Sequence, residues 1–362
     1  MSLPPWQPLV FKGRGAASAM AHRFTVDARE CFDDGWGTAE EGEQHGHAAP
    51  ITEVIDEVAR SAISRNSSPD VPFAQSVNPY RGCEHGCIYC YARPTHSYLN
   101  LSPGLDFETK IVAKRNVAEV LRAELGKPGH RSEAIGLGTV TDAYQPVERD
   151  LRLTRGVLEL LHETQHPLAI ITKSSGVERD LDLLAPMAAK RLASVYVTIT
   201  TLDAALARTL EPRAAAPHRR LRTIRTLVDA GIPVGVSVSP QIPFINEDME
   251  QVLAAARDAG ADRAFYQVVR LPWEVALLFR EWLQVHHPLR ADRVMARIQE
   301  MRGGKDYDAD FATRMRGQGV WADLIHQRFE KACRRLGLNR ERHILDGSKF
   351  RPPGGPGQLH LF

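Results

Sequence analysis

The chain has 362 residues and a net charge of +2, and 43% of its residues are hydrophobic. These values are ordinary for a soluble globular protein, and they exclude a polyelectrolyte that binds nucleic acid through overall charge alone. No stretch approaches the ~18 consecutive apolar residues of a membrane-spanning helix. No apolar segment follows Lys12 and Arg14, so we expect no signal peptide. The length allows one large domain with additions, or two domains.

The cysteines indicate the compartment, and the distribution of charge bears on a possible nucleic-acid partner. Three of the five cysteines lie close together, while Cys31 and Cys333 stand alone. This is not the pattern of a disulfide framework, and it favours a reducing compartment, the cytoplasm. Residues 281–362 contain 15 Lys and Arg against 10 Asp and Glu, whereas residues 1–280 are net negative. The asymmetry allows a basic face for nucleic acid, although a solvated helical surface explains it as well.

The first part of the chain, residues 1–69, is expected to be an irregular N-terminal extension. Residues 1–50 mix Pro, Gly, Ala and charged residues without a sustained hydrophobic period. Apolar residues at mixed spacing over 52–65 predict one short helix within the extension. Cys31 is interpreted as a bystander.

A regular alternation of apolar runs and amphipathic stretches occupies residues 70–272. Strands are predicted at 73–77, 134–140, 168–172, 194–200, 234–238 and 263–269. Helices are predicted at 116–125, 150–163, 180–190, 219–230 and 247–259. Strands that alternate with helices of about 10–15 residues indicate βαβ units and a parallel sheet, so the predicted fold class is α/β. In parallel barrels the reactive groups lie in the loops that follow the strands.

Beyond residue 272 the strand pattern stops. Residues 273–347 are predicted to form a helical C-terminal segment, with helices at 274–285, 291–301 and 322–336. Cys333 would be a core residue of the last helix. Residues 348–362 are rich in Pro and Gly, and we expect a disordered tail there.

The densest chemical signal is a group of three cysteines with the spacing Cys-x3-Cys-x2-Cys. They are Cys83, Cys87 and Cys90. Gly82 and Gly86 supply the backbone freedom for a loop that brings three thiolates together. Converging thiolates favour a soft metal, which means zinc or an iron–sulfur cluster.

Zinc and an iron–sulfur cluster make different demands on this loop. A structural zinc site needs four ligands, and His85 is poorly placed to be the fourth. A [4Fe-4S] cubane held by three cysteines keeps one iron open for another ligand, which is a catalytic arrangement. The alternative is a non-catalytic protein that uses the cysteines as a zinc site or an electron-transfer cluster. A second group of cysteines would favour that alternative, and the chain has none.

Three stretches near the cysteines carry a resemblance to a known family. They are NPYRGC (78–83), YARPTH (91–96) and DFETK (106–110). With the cysteine spacing they resemble the spore photoproduct lyase-related branch of the radical S-adenosylmethionine (SAM) superfamily, and within it an uncharacterised bacterial subgroup. The resemblance runs over residues 60–340, and it implies a partial (β/α)6 TIM-like barrel with a [4Fe-4S] cluster and SAM. It also implies reductive cleavage of SAM to a 5′-deoxyadenosyl radical, which abstracts hydrogen, and a reducing partner such as flavodoxin or ferredoxin.

The resemblance assigns roles to residues at the ends of two predicted strands. Thr139, Thr141 and Asp142 lie where radical SAM enzymes bind the methionine ammonium. Lys173 is assigned to the methionine carboxylate, with a plain lysine at the rim as the structural alternative. Four further charged residues are pocket candidates that form either a structural ion pair or a substrate clamp. They are Arg155, Glu211, Arg213 and Arg270.

Residues assigned to the nucleoside part of SAM come from other parts of the pattern. Tyr89 is expected near the adenine, or else as a core aromatic residue. Thr198 and Thr200 could hydrogen-bond the ribose, or be satisfied within their strand. Ser237 and Ser239 close the fifth strand, where adenine commonly lies in this superfamily.

The substrate is not determined by these residues. Spore photoproduct lyases carry a hydrogen-donor cysteine just before a Ser-Asp pair, at the place where this chain has Thr-Val-Thr-Asp over 139–142. Thymine-dimer repair is therefore not predicted. Nucleic acid, a small molecule and a peptide all stay open, as does the oligomeric state.

Overall fold

The structure is a computed structural model that describes residue 11 and residues 13–24, 50–341 and 343–354. The predictions for Cys31 and for most of the stretch 1–49 lie outside the described residues.

The described residues form the following elements. The strands are β1 (Glu53–Glu57), β2 (Ile63–Arg65), β3 (Gln75–Val77), β4 (Tyr80–Arg81), β5 (Lys110–Lys114), β6 (Ile135–Leu137), β7 (Leu168–Thr172), β8 (Ala193–Thr198), β9 (Val234–Gln241) and β10 (Arg263–Val268). The α-helices are α1 (Leu105–Thr109), α2 (Val117–Leu125), α3 (Glu148–Leu151), α4 (Leu153–Glu163), α5 (Leu181–Ala189), α6 (Ala204–Leu210), α7 (Pro217–Asp229), α8 (Met249–Asp258), α9 (Glu274–His286), α10 (Ala291–Glu300) and α11 (Gly319–Leu336). Short 3-10 segments occur at Arg93–Leu99, Ser175–Asp180 and Gly347–Lys349.

The larger sheet has seven strands in the order β10-β9-β8-β7-β6-β3-β2. Neighbouring strands from β10 to β3 are parallel, while β2 pairs antiparallel with β3 at one edge. The six parallel strands are the six that the sequence predicts, and helices connect them, so the α/β class is confirmed. Because β10 and β2 are the two edges, the sheet is open and forms no closed barrel within the described residues.

The sequence does not predict the second, smaller sheet. Its order is β1-β5-β4, with β1 parallel and β4 antiparallel to β5. The helix predicted over 52–65 is therefore wrong, since this stretch forms β1 and β2. Strand β1 pairs with residues much later in the chain, from Glu53 opposite Lys110 to Glu57 opposite Lys114. Non-local pairing of this kind leaves no periodic signal in the local sequence.

The main hydrophobic core supports the large sheet, and a second core supports the cysteine loop. The main core lies between the large sheet and its helices, and strand residues such as Ile135, Ile170 and Val195 are fully buried there. Cys333, in helix α11, is buried in the same core as predicted. A second core joins the cysteine loop to helices α9 and α10, with Ile88 among its buried members. The helices predicted after residue 272 are present; α9 and α10 pack against the loop, whereas α11 packs in the main core.

Part of the predicted disordered tail makes specific contacts. Residues 348–354 are described, and residues 355–362 lie outside the described part of the chain. Phe350 lies 5.1 Å from the His166 ring and 5.2 Å from the His130 ring, measured between centroids. The backbone N–H of Arg351 donates to the carbonyl of Thr164 at 2.8 Å. Phe350 and Arg351 are thus attached to the main fold.

The buried His166 predicts an acid-sensitive fold. Burial lowers the pKa of His166 to about 4, which its hydrogen bond with the Pro167 carbonyl only partly offsets. An unfolded histidine has a pKa of about 6.5, so the unfolded chain binds more protons between pH 6.5 and 4 and the fold loses stability as pH falls through that window. We expect the free energy of unfolding to drop by about 2 kcal/mol between pH 7 and 5 through this residue.

Urea denaturation at the two pH values measures that drop. In His166→Gln most of it should be absent, whereas the exposed His218→Gln should keep the native pH dependence. An unchanged pH dependence in His166→Gln would contradict the assignment.

Candidate cofactor site

The three cysteines lie in a loop near the edge of the large sheet where its parallel strands end. Cys83 and Cys87 are buried, and Cys90 is half-buried. Gly82 has a φ of 81° and Gly86 a φ of 66°, which is left-handed backbone that favours glycine. The prediction that these two glycines shape the loop is confirmed by their conformation.

Residues that follow the loop in sequence hold it from behind. The backbone N–H of Cys83 donates to the Phe107 carbonyl at 2.9 Å. A Cβ atom on Gly82 would lie 2.8 Å from the ring of His96, so the loop fits closely against this support. The side chain of Gln145 also bridges it, accepting from the Glu84 N–H at 2.9 Å and donating to the Gly82 carbonyl at 3.2 Å.

Arg93 is the central member of this support and is fully buried. Its Nε donates to the carbonyl of Cys87 at 3.0 Å, and its guanidinium forms an ion pair with the fully buried Glu108. A buried ion pair is strongly destabilised when one partner is removed, so each residue depends on the other. The stretches 91–96 and 106–110, which carry the family resemblance, thus meet in one ion pair behind the cysteines.

Burial favours the protonated form of the Cys83 and Cys87 thiols, and a bound metal would reverse that preference. Burial raises the pKa of Cys83 well above its usual range. It raises the pKa of Cys87 to about 12, although the nearby Lys173 cation acts to lower it. Both thiols are therefore protonated at neutral pH, and binding of iron or zinc would release their protons.

The arrangement of possible ligands fits a cluster better than a single zinc ion. Within the described residues, no group of three His, Cys, Asp or Glu side chains is close enough to bind one metal ion. Nδ1 of His85 lies 3.3 Å from Oδ2 of Asp142, so the ring is directed at that carboxylate. In a cubane each of three cysteines binds a different iron. The three sulfur atoms are therefore expected to lie farther apart than the ligands of one zinc ion, and no fourth protein ligand is needed.

The polar residues that the sequence assigns to SAM follow neighbouring strands of the large sheet. Thr139, Thr141 and Asp142 follow β6, Lys173 follows β7, Thr198 and Thr200 lie at the end of β8, and Ser237 and Ser239 lie in β9. Because these strands are parallel neighbours, their carboxyl-terminal ends lie side by side. The stretch that leads to the cysteine loop starts at the carboxyl-terminal end of β3, which belongs to the same row of strand ends. The fold thus gathers these residues at the carboxyl-terminal ends of the parallel strands.

Asp142 connects the ends of two strands to the cysteine loop. Its Oδ1 accepts hydrogen bonds from the Tyr144 N–H at 2.9 Å and the Thr172 hydroxyl at 2.7 Å. Its Oδ2 accepts from the Lys173 N–H at 2.8 Å and faces His85. Burial acts to raise the pKa of Asp142, but His85 and these hydrogen bonds hold it well below its usual range. Both oxygens already have protein partners, so this carboxylate positions the loops.

Two buried hydroxyl groups at the strand ends lack a partner among the described residues. Thr141 Oγ1 and Ser239 Oγ make no hydrogen bond to any described residue. Leaving such a group unsatisfied costs about 1–3 kcal/mol, so both positions fit a polar ligand that supplies the missing bonds. Thr139 differs, because its hydroxyl lies 3.3 Å from the side-chain nitrogen of Asn78 and its carbonyl accepts from the hydroxyl of Tyr91.

Lys173 is a charged group without an ion-pair partner. Burial acts to lower its pKa, but Cys87, when ionised to the thiolate, and the Glu211 carboxylate raise it above the ordinary value. No described carboxylate lies within 4.0 Å of Nζ, which is 5.9 Å from the centroid of the Tyr89 ring. A half-buried ammonium without a direct ion-pair partner fits an anionic ligand group.

Glu211 is the centre of a buried network beneath these residues. It accepts hydrogen bonds from the hydroxyls of Tyr89 and Thr200, the second at 2.5 Å, and it forms an ion pair with Arg220. Burial acts to raise the pKa of Glu211, yet Arg220 and Lys173 hold it below its usual range. Arg220 also donates to the Thr198 carbonyl at 3.0 Å. Of the two roles that the sequence leaves open for Glu211, the geometry favours the structural ion pair.

The remaining candidates occupy different places. Arg155 lies on helix α4 and pairs with acidic side chains there and in α5, away from the cysteine loop. Arg213 pairs with Glu84 of the loop at 3.1 Å. The guanidinium of Arg270 lies 4.4 Å from the centroid of the Tyr91 ring, directly after the cysteines. Sequence reasoning did not identify Arg220. The sequence shows only an arginine on an amphipathic helix, and its burial beside Glu211 is visible in the structure alone.

The fold and the cysteine loop together define an α/β protein with a candidate cofactor site at the ends of its parallel strands. The family model of the radical SAM superfamily matches residues 77–258, from the end of β3 to the end of α8. The match covers half of the chain and includes the cysteine loop. The chain belongs to the radical SAM superfamily.

The chain is also similar to relatives and to solved structures. An uncharacterized protein of Mycobacterium tuberculosis is 38% identical over 235 residues, which are 64% of this chain and 69% of that protein. An uncharacterized protein of Methanocaldococcus jannaschii is 28% identical over 238 residues, which are 65% of this chain and 84% of that protein. A structure of spore photoproduct lyase complexed with dinucleoside spore photoproduct is 16% identical, covers 78% of each chain and has a TM-score of 0.50. At this identity the likeness concerns the fold.

Membership of the superfamily sets the cofactors. Radical SAM enzymes use a [4Fe-4S] cluster and SAM, and they need a reductant. Among the described residues, no helix is both long enough and apolar enough to cross a membrane.

Proposed function

We propose that this protein is a radical SAM enzyme in which Cys83, Cys87 and Cys90 hold the [4Fe-4S] cluster. The observation that carries the proposal is the meeting of a three-cysteine loop with a half-buried lysine, which has no direct ion-pair partner, and with unsatisfied hydroxyls at the carboxyl-terminal ends of the parallel strands. We further propose that residues 70–272 form an open (β/α)6 partial barrel. The N-terminal extension 1–69, the helical segment 273–347 and the tail 348–362 would flank it.

The residues along the strand ends would bind SAM. Lys173 would pair with the methionine carboxylate, and the hydroxyl of Thr141, assisted by Thr139, would accept from the ammonium. Asp142 would hold the loop after β6 and the loop after β7 in fixed positions through its hydrogen bonds to Thr172 and Lys173. The reduced cluster, when bound, supplies the electron that cleaves the SAM sulfonium to methionine and a 5′-deoxyadenosyl radical.

The nucleoside would lie against the neighbouring strands. Tyr89 and Thr200, held in place by Glu211, would line the ribose and adenine, with Thr198 and the unsatisfied Ser239. A buried setting of this kind excludes water from a reactive radical.

The reaction partner and the compartment are the finer parts of the proposal. A cluster that must be reduced suits the cytoplasm and a donor such as flavodoxin or ferredoxin. Hydrogen abstraction from an unknown substrate would follow, and nucleic acid stays among the candidates. The alternative is a non-catalytic zinc or electron-transfer protein, and its zinc form is less well supported because the described residues offer no three-ligand group for one ion.

Anaerobic reconstitution tests the proposal directly. The full chain is supplied with iron and sulfide, reduced with dithionite and given SAM, and 5′-deoxyadenosine is measured by chromatography. We expect a brown, oxygen-sensitive protein that forms this product. A colourless protein that binds zinc and takes up no cluster would overturn the proposal.

A further inference from the structure

Residues 13–24, called the strap below, lie across the cysteine loop although they precede the family match by many residues. A Cβ atom on Gly15 would collide with the carbonyl oxygen of Gly86, between the first two cysteines. Ala16 is buried in the same hydrophobic cluster as Cys87 and Tyr89. The strap is thus in direct contact with the loop.

Glu108 connects the strap to the ion pair behind the cysteines. Its Oε2 accepts from the Gly15 N–H and its Oε1 from the Ala16 N–H, both at 2.9 Å. The same carboxylate pairs with Arg93, which in turn donates to the carbonyl of Cys87. A chain of charge-assisted hydrogen bonds therefore runs from the strap to a cysteine of the loop.

Further contacts fix the strap along its length. The Leu105 N–H donates to the Ser18 carbonyl at 3.1 Å, and the Ser102 hydroxyl donates to the Met20 carbonyl at 2.8 Å. At its far end, Arg23 forms a 3.0 Å ion pair with Glu274. The guanidinium of Arg23 also lies 4.5 Å from the centroid of the exposed Trp273 ring. These anchors hold Gly15 against the loop.

We infer that the strap is part of the cluster site, with Gly15 and Glu108 as positioning residues for the turn between Cys83 and Cys87. The inference rests on the proposed cluster at these cysteines. Because coupling between two sites is reciprocal, a strap that stabilises the cluster-binding loop must itself be stabilised when the cluster binds. Opening of the strap would expose the loop and allow the cluster to leave.

The first test measures how fast the cluster is lost. Gly15→Ala places a methyl group where the Gly86 carbonyl lies, and overpacking of this size should speed cluster loss to a chelator about tenfold or more. Gly156→Ala is the control, because a Cβ there meets only Ala118 at an ordinary 3.7 Å. Equal rates in the native protein, the control and Gly15→Ala would overturn the inference.

The second test needs no substitution, so it holds even if Gly15→Ala folds poorly. Amide hydrogen exchange of residues 13–20 is compared in the native chain with and without its cluster. Reciprocity predicts exchange about tenfold slower in the loaded protein, and equal exchange would overturn the inference. A native chain that takes up no cluster would instead refute the proposed function, so the two failures are distinguishable.

Discussion

Replacement of Cys87 by alanine is expected to lower 5′-deoxyadenosine formation more than about 100-fold, beyond the loss that outer-shell changes at metal sites cause. Only two of the three thiolates would remain, and the open iron would no longer be held beside the residues at the strand ends. The iron content after reconstitution should fall together with the product. Iron analysis and chromatography of the same sample measure both quantities.

Cys333 provides a matched control within the same chain. It is also a buried cysteine with a raised pKa, but it lies in helix α11, in the core away from the loop. Cys333→Ala should therefore keep full iron content and product formation, at a small cost in stability. Full product from Cys87→Ala would remove the loop from the proposed mechanism.

The parallel sheet could be predicted because its strands are short apolar runs between amphipathic helices. Each of these runs is buried, so hydrophobicity alone marks it. The small sheet could not be predicted in the same way. Strand β1 is largely exposed and carries Glu53 and Glu57, and only its pairing with the lysine-bearing β5 makes it a strand. That information is spread over two distant segments.

In the candidate site, too, residues close in sequence could be predicted, whereas contacts between distant segments could not. Cys83, Cys87 and Cys90 are close in sequence, so their spacing alone reveals them. The contribution of Arg93 and Glu108 depends on two stretches meeting behind the loop, and sequence resemblance marks those stretches without giving their task. The strap was expected to be irregular, and it is irregular in backbone. Its contacts with the loop are tertiary and leave no pattern in composition.

The distribution of charge at the strand ends explains why one cation stands out. Asp142 is satisfied by four donors, and Glu211 is neutralised by Arg220. Each carboxylate therefore has its counterpart within the protein. Lys173 differs among these charges, because it makes no direct ion pair with a described residue and is balanced only by the more distant Cys87 and Glu211. A ligand carboxylate would give it a direct partner.

Lys173→Met is accordingly expected to weaken SAM binding by about 10–100-fold, since a hydrogen bond to a charged group contributes about 1.5–3 kcal/mol. Methionine keeps the length and apolar stem of lysine while removing the charge. Binding is measured by titration of SAM into the cluster-loaded, unreduced protein, so that cleavage does not interfere. Lys127→Met, at an exposed position after helix α2, should bind SAM as the native protein does.

The stability of the same variant separates ligand binding from a structural role. If Lys173 served the fold, its removal would lower the free energy of unfolding of the SAM-free protein, as loss of a buried ion-pair partner does. If it serves the ligand, its removal should change that free energy only slightly, because no described carboxylate lies within 4.0 Å of Nζ. We expect the second result, so that SAM-free Lys173→Met unfolds close to the native urea concentration while its SAM affinity falls. Loss of stability with unchanged SAM affinity would assign Lys173 to the fold and leave the methionine carboxylate to another cation of the site.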